Sequence, residues 1–231
     1  MRDFNPMMLR KLSRADFPGD RISPDEFRSI FEACDALWLH SGDPRAPHAE
    51  LTSGRCSNGF VDVLRVLRYS NLCQIMAIQL VRELWKYYPG GRIDWVVGSD
   101  HAGATLSYAV AVELSAQHDF TEKGENKKQV WKRFVIEPGE VVLQVEELIT
   151  TTGTLRAVRE GIRAGNPHPV TFAPLSLALV HRSNIYEFEG TPIIFAAHYD
   201  IETWTPEECP LCKGGSERLR PKQNWAKLTG K

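Results

Sequence analysis

The chain predicts an α/β fold, an open and mostly parallel sheet flanked by helices, with an N-terminal helical extension. Three observations carry that expectation. Apolar, β-prone runs alternate with helical patterns across residues 93–197. Two of these runs end in turns of small residues and acids that lead at once into a helix, at residues 98–103 (GSDHAG) and 146–154 (EELITTTGT). A long amphipathic stretch at residues 70–88 precedes the alternation. Open sheets of this kind bind ligands beyond the carboxyl ends of their strands, so both turns are expected to face one pocket.

Taken in order, residues 1–22 carry Pro6, Pro18 and Gly19 and read as an extension or arm. Ser23-Pro24-Asp25-Glu26 is a helix start, with a serine cap, proline in the first turn and glutamate closing a capping box. Phe27, Ile30, Phe31, Cys34, Leu37 and Trp38 repeat at helical spacing behind it and predict a covering helix. A Pro- and His-containing loop at residues 41–48 ends it. Residues 50–63 predict a short strand, a Ser-Gly-Arg turn that shows Arg55 to solvent or to an anion, and a second strand from Phe60. In residues 70–88, Leu72, Ile75, Met76, Gln79, Leu80 and Leu84 mark one helix face, and Pro89-Gly90-Gly91 stops it. A buried strand at 93–97 and a nearly all-apolar helix at 104–114 follow. Residues 120–133, FTEKGENKKQVWKR, predict a mobile basic loop, either simply solvated or a flap over an anionic ligand. Beyond a Pro138-Gly139 turn come a strand at 141–145, a helix whose buried side holds Leu155, Val158 and Ile162, and strands at 170–180 and 191–197.

With 231 residues and 42% hydrophobic content, the chain can bury one sizeable core, or one core plus a small subdomain. A formal net charge of −1 gives no electrostatic case for a nucleic-acid partner or a membrane surface. No apolar run is long enough to span a bilayer, and the first residues lack the apolar core of a signal peptide. Five cysteines, with Cys34, Cys56 and Cys73 scattered, predict a reduced, cytoplasmic protein. Cys209-x-x-Cys212 is half of a zinc site, with no second Cys or His pair at finger-like spacing; it reads as a metal-free turn or as a site shared across a dimer.

The stretch VVLQVEELITTTGT concentrates the chemistry. Strand, acid pair, hydroxyl-rich loop and helix N-terminus suit a sugar phosphate. Backbone N–H groups and the helix dipole hold the phosphate, and carboxylates face hydroxyls or a metal. This stretch resembles the phosphoribosyl-diphosphate (PRPP) motif of type I phosphoribosyltransferases. LTSGRCS and VVGSDHAG are similar to two further elements of the orotate branch of that family.

The resemblance implies a type I phosphoribosyltransferase core at residues 50–200 with a small hood, an N-terminal extension at 1–49, and a C-terminal tail at 201–231. It implies transfer of a phosphoribosyl group from PRPP to orotate with Mg²⁺, in a homodimer with shared sites. The alternatives are another nucleobase, or a non-catalytic PRPP-binding regulatory protein. By position, Glu146 and Glu147 would bind the ribose hydroxyls, and Thr150, Thr151, Thr152, Gly153 and Thr154 the 5′-phosphate. Ser99 and Asp100 would lie near pyrophosphate and Mg²⁺; Ser53, Arg55 and Arg156 would serve the base, Arg156 pairing with its carboxylate. Lys123, Lys127, Lys128, Lys132 and Arg133 would supply the catalytic cations of the flap. Thr152 stands where that family usually has glycine, so a positive φ there would be strained.

Overall fold

The computed structural model describes residues 4–17, 19, 21–125 and 128–230. A short helix, α1 (Pro6–Leu9), is capped by the Asn5 side chain. α2 (Pro24–Ala33) starts as the sequence predicts, with Ser23 as cap and Glu26 reaching back to the Ser23 N–H. Its Phe27, Ile30 and Phe31 are buried. The helix is shorter than expected. Asp35 adopts a φ of 54°, and Leu37 and Trp38 belong to a strand, β1 (Leu37–Leu39). A continuous apolar run fits helix and strand spacing alike, and here the left-handed residue decides against the helix.

The chain then forms β2 (His48–Glu50), β3 (Cys56–Ser57) and β4 (Gly59–Val61), and β4 returns antiparallel to β1. After α3 (Leu64–Leu67) comes α4 (Ser70–Tyr87), in which all six residues of the predicted face are buried.

The central sheet starts with β5 (Trp95–Gly98), followed by α5 (Ala102–Leu114) and β6 (Gln117–Phe120). A hairpin of β7 (Glu122–Lys123) and β8 (Gln129–Val130) intervenes before β9 (Val141–Ile149) and α6 (Gly153–Gly165). β10 (Thr171–His181), β11 (Glu187–Phe188) and β12 (Thr191–His198) complete the sheet. Its order is β11-β12-β10-β9-β5-β6, with β11 antiparallel at one edge and the rest parallel. Both faces are covered. Val96, Leu143 and Val145 join the core under α2, α4 and α5, while Trp95, Val97 and Val142 pack with Val158 and Ile162 of α6. That explains why these strands read as nearly continuous apolar runs. Each fully buried aliphatic side chain contributes roughly 1.5–3 kcal/mol.

The basic segment at residues 120–133 differs from the loop predicted for it. Phe120 ends β6, and Trp131 is buried, edge-on to Trp95 at 5.8 Å. The backbone at Gln129 runs so close to α6 that a Cβ on Gly161 would lie 2.4 Å from the Gln129 carbonyl oxygen.

The last residues form a second, small sheet. β13 (Thr203–Trp204), α7 (Pro210–Lys213), β14 (Arg218–Leu219) and α8 (Trp225–Thr229) close the chain, and the strands assemble in the order β13-β3-β2-β14. This is the hood. Its own apolar cluster comprises Trp38, Ala49, Leu219 and Leu228, with Phe60 and Trp225 alongside. Among the described residues, no helix is long and apolar enough to cross a membrane.

Candidate active site

β9 extends past its neighbour. Its pairing with β5 stops at Val97 opposite Gln144, whereas its pairing with β10 continues to Ile149. Glu146 and Glu147 therefore lie inside the strand, where β5 has already given way to the Ser99–His101 turn. Ser99 fills the gap, its Oγ donating to Glu146 Oε2 at 2.8 Å. The turn is tight: a Cβ on Gly98 would lie 2.4 Å from the Gly103 carbonyl oxygen, so only glycine fits there. His101 sits at φ 60° and ψ −107°, a costly conformation for a residue with a Cβ, at the mouth of α5. It is exposed, with its Nε2 3.8 Å from Asp100 Oδ2.

Glu146 is only 2% exposed. Burial, with the adjacent Glu147 adding to it, pushes its carboxyl up to about 8. Burial also raises Glu147, helped by Asp100, and Glu147 Oε2 is buried with no hydrogen-bond partner among the described residues. Behind Glu146 runs a polar chain. Gln144 donates to Glu146 at 3.4 Å and to the Leu155 carbonyl at 3.1 Å. Arg159, 3% exposed, donates to Gln144, Ser176 and Glu189, and lies over the rings of Phe172 and Phe188. Arg163 also holds Glu189, and the two guanidiniums draw its carboxyl down to about 2.

The hydroxyl loop takes an unstrained path. Thr152 has φ −84° and ψ 8°, so a β-branched residue is accommodated where glycine is usual. The Thr152 side chain makes no cap hydrogen bond to α6, while Thr151 Oγ1 accepts from the Gly153 N–H at 3.3 Å; Thr150, Thr151, Gly153 and Thr154 are exposed around the first turn. A 13-residue helix whose N-terminus opens beside a hydroxyl loop suits a phosphate.

Beyond the ends of β9, β10 and β12, a cavity of about 520 Å³ separates the sheet from the hood. Thr150, Arg182, Asn184, Tyr199, Thr203 and Trp204 are among its lining residues. Arg182 was not anticipated. Its Nε and Nη1 are buried without a partner among the described residues, and burial lowers its affinity for the proton. A guanidinium nonetheless stays charged, so a cation with two nitrogens unpartnered among the described residues borders the cavity. The available sequence signal was a lone arginine at the carboxyl end of a strand.

The other predicted residues are scattered around this edge. Arg156 is exposed, its guanidinium over Phe188 at 5.5 Å, and does not line the cavity. Ser53 and Arg55 occupy the β2–β3 turn; Arg55 donates to the carbonyl of Thr203, a cavity residue, at 2.9 Å. Asp100 accepts from Gln129 at 3.0 Å, which ties the hairpin to the site. Lys132 and Arg133 pair with Glu122 at 2.9 and 2.5 Å, whereas Lys123 and Lys128 are exposed. Lys127 lies outside the described residues. Cys209 and Cys212 are in the hood, where they meet His48 and Cys56.

No family model matches the chain. It is 32% identical over 200 residues to an orotate phosphoribosyltransferase of Heliobacterium modesticaldum, covering 87% of this chain and 98% of that one. It is 34% identical over 200 residues to one from Pelotomaculum thermopropionicum, covering 87% and 97%. Among solved structures, the orotate phosphoribosyltransferase of Aeropyrum pernix superposes with a TM-score of 0.51 at 18% identity, covering 74% of this chain and 93% of that one. That of Mycobacterium tuberculosis, in complex with Fe(III) dicitrate, gives 0.52 at 15% identity, covering 76% and 97%. At those identities the solved structures speak for the fold alone.

Proposed function

The chain belongs to the orotate phosphoribosyltransferase family, and from that premise we propose that it transfers the 5-phosphoribosyl group of PRPP to orotate. The products are orotidine 5′-monophosphate and pyrophosphate, and the step belongs to pyrimidine nucleotide biosynthesis. The observation that carries this reading is the succession of acid pair, hydroxyl loop and α6 N-terminus at the carboxyl end of β9, with Thr150 of that loop lining the cavity. In this reading Glu146 and Glu147 hold the ribose hydroxyls, and residues 150–154 wrap the 5′-phosphate.

Hard oxygen donors fit Mg²⁺, and Asp100 with the unpartnered Glu147 Oε2 are the candidates to hold it. Bound there, the ion would neutralise charge on the leaving pyrophosphate. Lys123 and Lys128 would add to that as flap cations, as would Lys132 and Arg133 once released from Glu122. The hood and Trp204 exclude water from the ribosyl centre as the bond to pyrophosphate breaks. Orotate N1 ionises readily, so no strong general base is needed. We read the functional unit as a cytoplasmic homodimer.

The orotate carboxylate needs a cation, and two arginines compete for the role. Arg182 is the stronger candidate because it lines the cavity and two of its nitrogens have no partner among the described residues, whereas Arg156 rests on Phe188. Losing a charge-assisted pair costs about 1.5–3 kcal/mol. Arg182→Ala is therefore expected to weaken orotate binding by about 10–100-fold and PRPP binding by much less. Calorimetric titration separates the two. A selective loss on Arg156→Ala instead would return the role to that residue, and equal loss of both ligands would remove the carboxylate reading.

A further inference from the structure

The hood has too little core to hold itself. Its strands are two or three residues long, and its apolar cluster is small. Sheets of this size need a staple.

Four side chains meet at its centre. His48 comes from β2 and Cys56 from β3; with Glu50 opposite Cys56, the two ligands are diagonal neighbours on one face of the ladder. Cys209 and Cys212 arrive from the other end of the chain on the α7 turn, whose geometry is set by the Cys212 N–H donating to Cys209 Sγ at 3.4 Å. All four donor atoms lie within 4.8 Å of one another. Cys56 and Cys212 sulfurs are 3.5 Å apart, and His48 Nε2 is 3.4 Å from Cys212 Sγ and 3.7 Å from Cys209 Sγ. Tetrahedral ligands on zinc, with Zn–S of about 2.3 Å and Zn–N of about 2.0 Å, stand roughly 3.5–3.8 Å from each other. His48, Cys56 and Cys209 are fully buried.

The imidazole is set for ligation. Ser216 Oγ donates its one proton to the Ala46 carbonyl at 2.6 Å, so toward His48 Nδ1, at 2.8 Å, it can only accept. Nδ1 therefore carries the proton, and the Nε2 lone pair faces the thiols.

We propose that His48, Cys56, Cys209 and Cys212 form a closed, structural Cys₃His site for Zn²⁺ that pins the C-terminal segment to the β2–β3 hairpin. The ligand set is soft and nitrogen–sulfur throughout, which favours zinc over magnesium or calcium. Four protein ligands leave no open position for chemistry, so the role is support. What is supported is the turn carrying Ser53 and Arg55, which Arg218 of β14 also grips by donating to the Gly54 carbonyl at 3.1 Å.

The test is metal content by plasma mass spectrometry on the full chain purified without chelator, together with Co²⁺ substitution. One zinc per chain is expected, and the Co²⁺ form should show intense tetrahedral d–d bands and sulfur-to-cobalt charge transfer. Cys212→Ser should lose the metal, whereas Cys73→Ser, buried in the main core, should keep it. Co²⁺ spectra of the unmodified chain decide the matter even where Cys212→Ser does not fold. A chain refolded with Zn²⁺ that carries no metal, a weak octahedral Co²⁺ spectrum, or a Cys56–Cys212 disulfide under reducing conditions would overturn the proposal. None of these readouts depends on enzymatic activity.

Discussion

The carboxylates at the end of β9 and the thiol–imidazole cluster of the hood are both polar groups buried in apolar surroundings, but their needs are met differently. At the sheet edge, Glu147 Oε2 and two nitrogens of Arg182 have no partner among the described residues, and Arg182 borders a cavity of about 520 Å³. In the hood the donors face one another, and a single ion would satisfy all four. Unmet charge around an opening is a capacity to bind substrate; donors converging on a closed point serve support. The Arg159 chain behind Glu146 combines features of both, since it is closed like the hood cluster but orients the open site.

The largest effect should come from cutting that chain. Arg159→Ala leaves Gln144, Ser176 and Glu189 without their shared donor and is expected to cost about 3–5 kcal/mol in urea denaturation. Arg159→Lys should not restore it, because three separate acceptors need the planar fork. A cost under about 1 kcal/mol would mean that the edge is not supported from behind.

Next in size is Glu146. Its carboxyl is raised from 4.5 to about 8 in the fold, so between those values the folded chain holds a proton that the unfolded chain has lost. Its contribution to stability therefore declines as pH rises through that window. Glu146→Gln should flatten this slope and stabilise the free protein at high pH, while weakening PRPP binding by about 10–100-fold. If the ionised form is the one that receives the ribose hydroxyls, PRPP affinity of the native chain should climb with pH and level off near 8. Denaturation and titration calorimetry across pH check both signs; a pH-independent affinity would place the ribose elsewhere.

The smallest effect sharpens the contrast by burial alone. Arg163 grips the same Glu189 as Arg159, but 46% of its side chain is exposed against 3%. Arg163→Ala should cost only about 0.2–1 kcal/mol, and a loss matching that of Arg159→Ala would show that the ion pair, not the buried fork, supports α6.

Much of the sheet edge was legible because its parts are contiguous. Strand, acids, hydroxyl loop and helix follow one another within VVLQVEELITTTGT, and the α4 face is a period-3.6 pattern in full view. The hood cluster was half legible. Cys209 and Cys212 carry their own spacing, but His48 and Cys56 join them only through the β2–β3 register and the parallel pairing of β14 with β2. The β7–β8 hairpin was hidden for a related reason. Its strands are too short and polar to show a period, and its seat depends on Gly161, some thirty residues on. Thr152 illustrates the remaining gap, since residue identity alone does not report φ, and the backbone there proves to need no glycine.

The most direct test of the central claim is turnover itself. The chain is mixed with PRPP, Mg²⁺ and either orotate or uracil, and base absorbance is followed alongside pyrophosphate release. The account predicts PRPP-dependent consumption of orotate, matched one for one by pyrophosphate, with uracil left largely untouched because it lacks the carboxylate that Arg182 would hold. PRPP binding without consumption of orotate, or equal use of uracil, would contradict it.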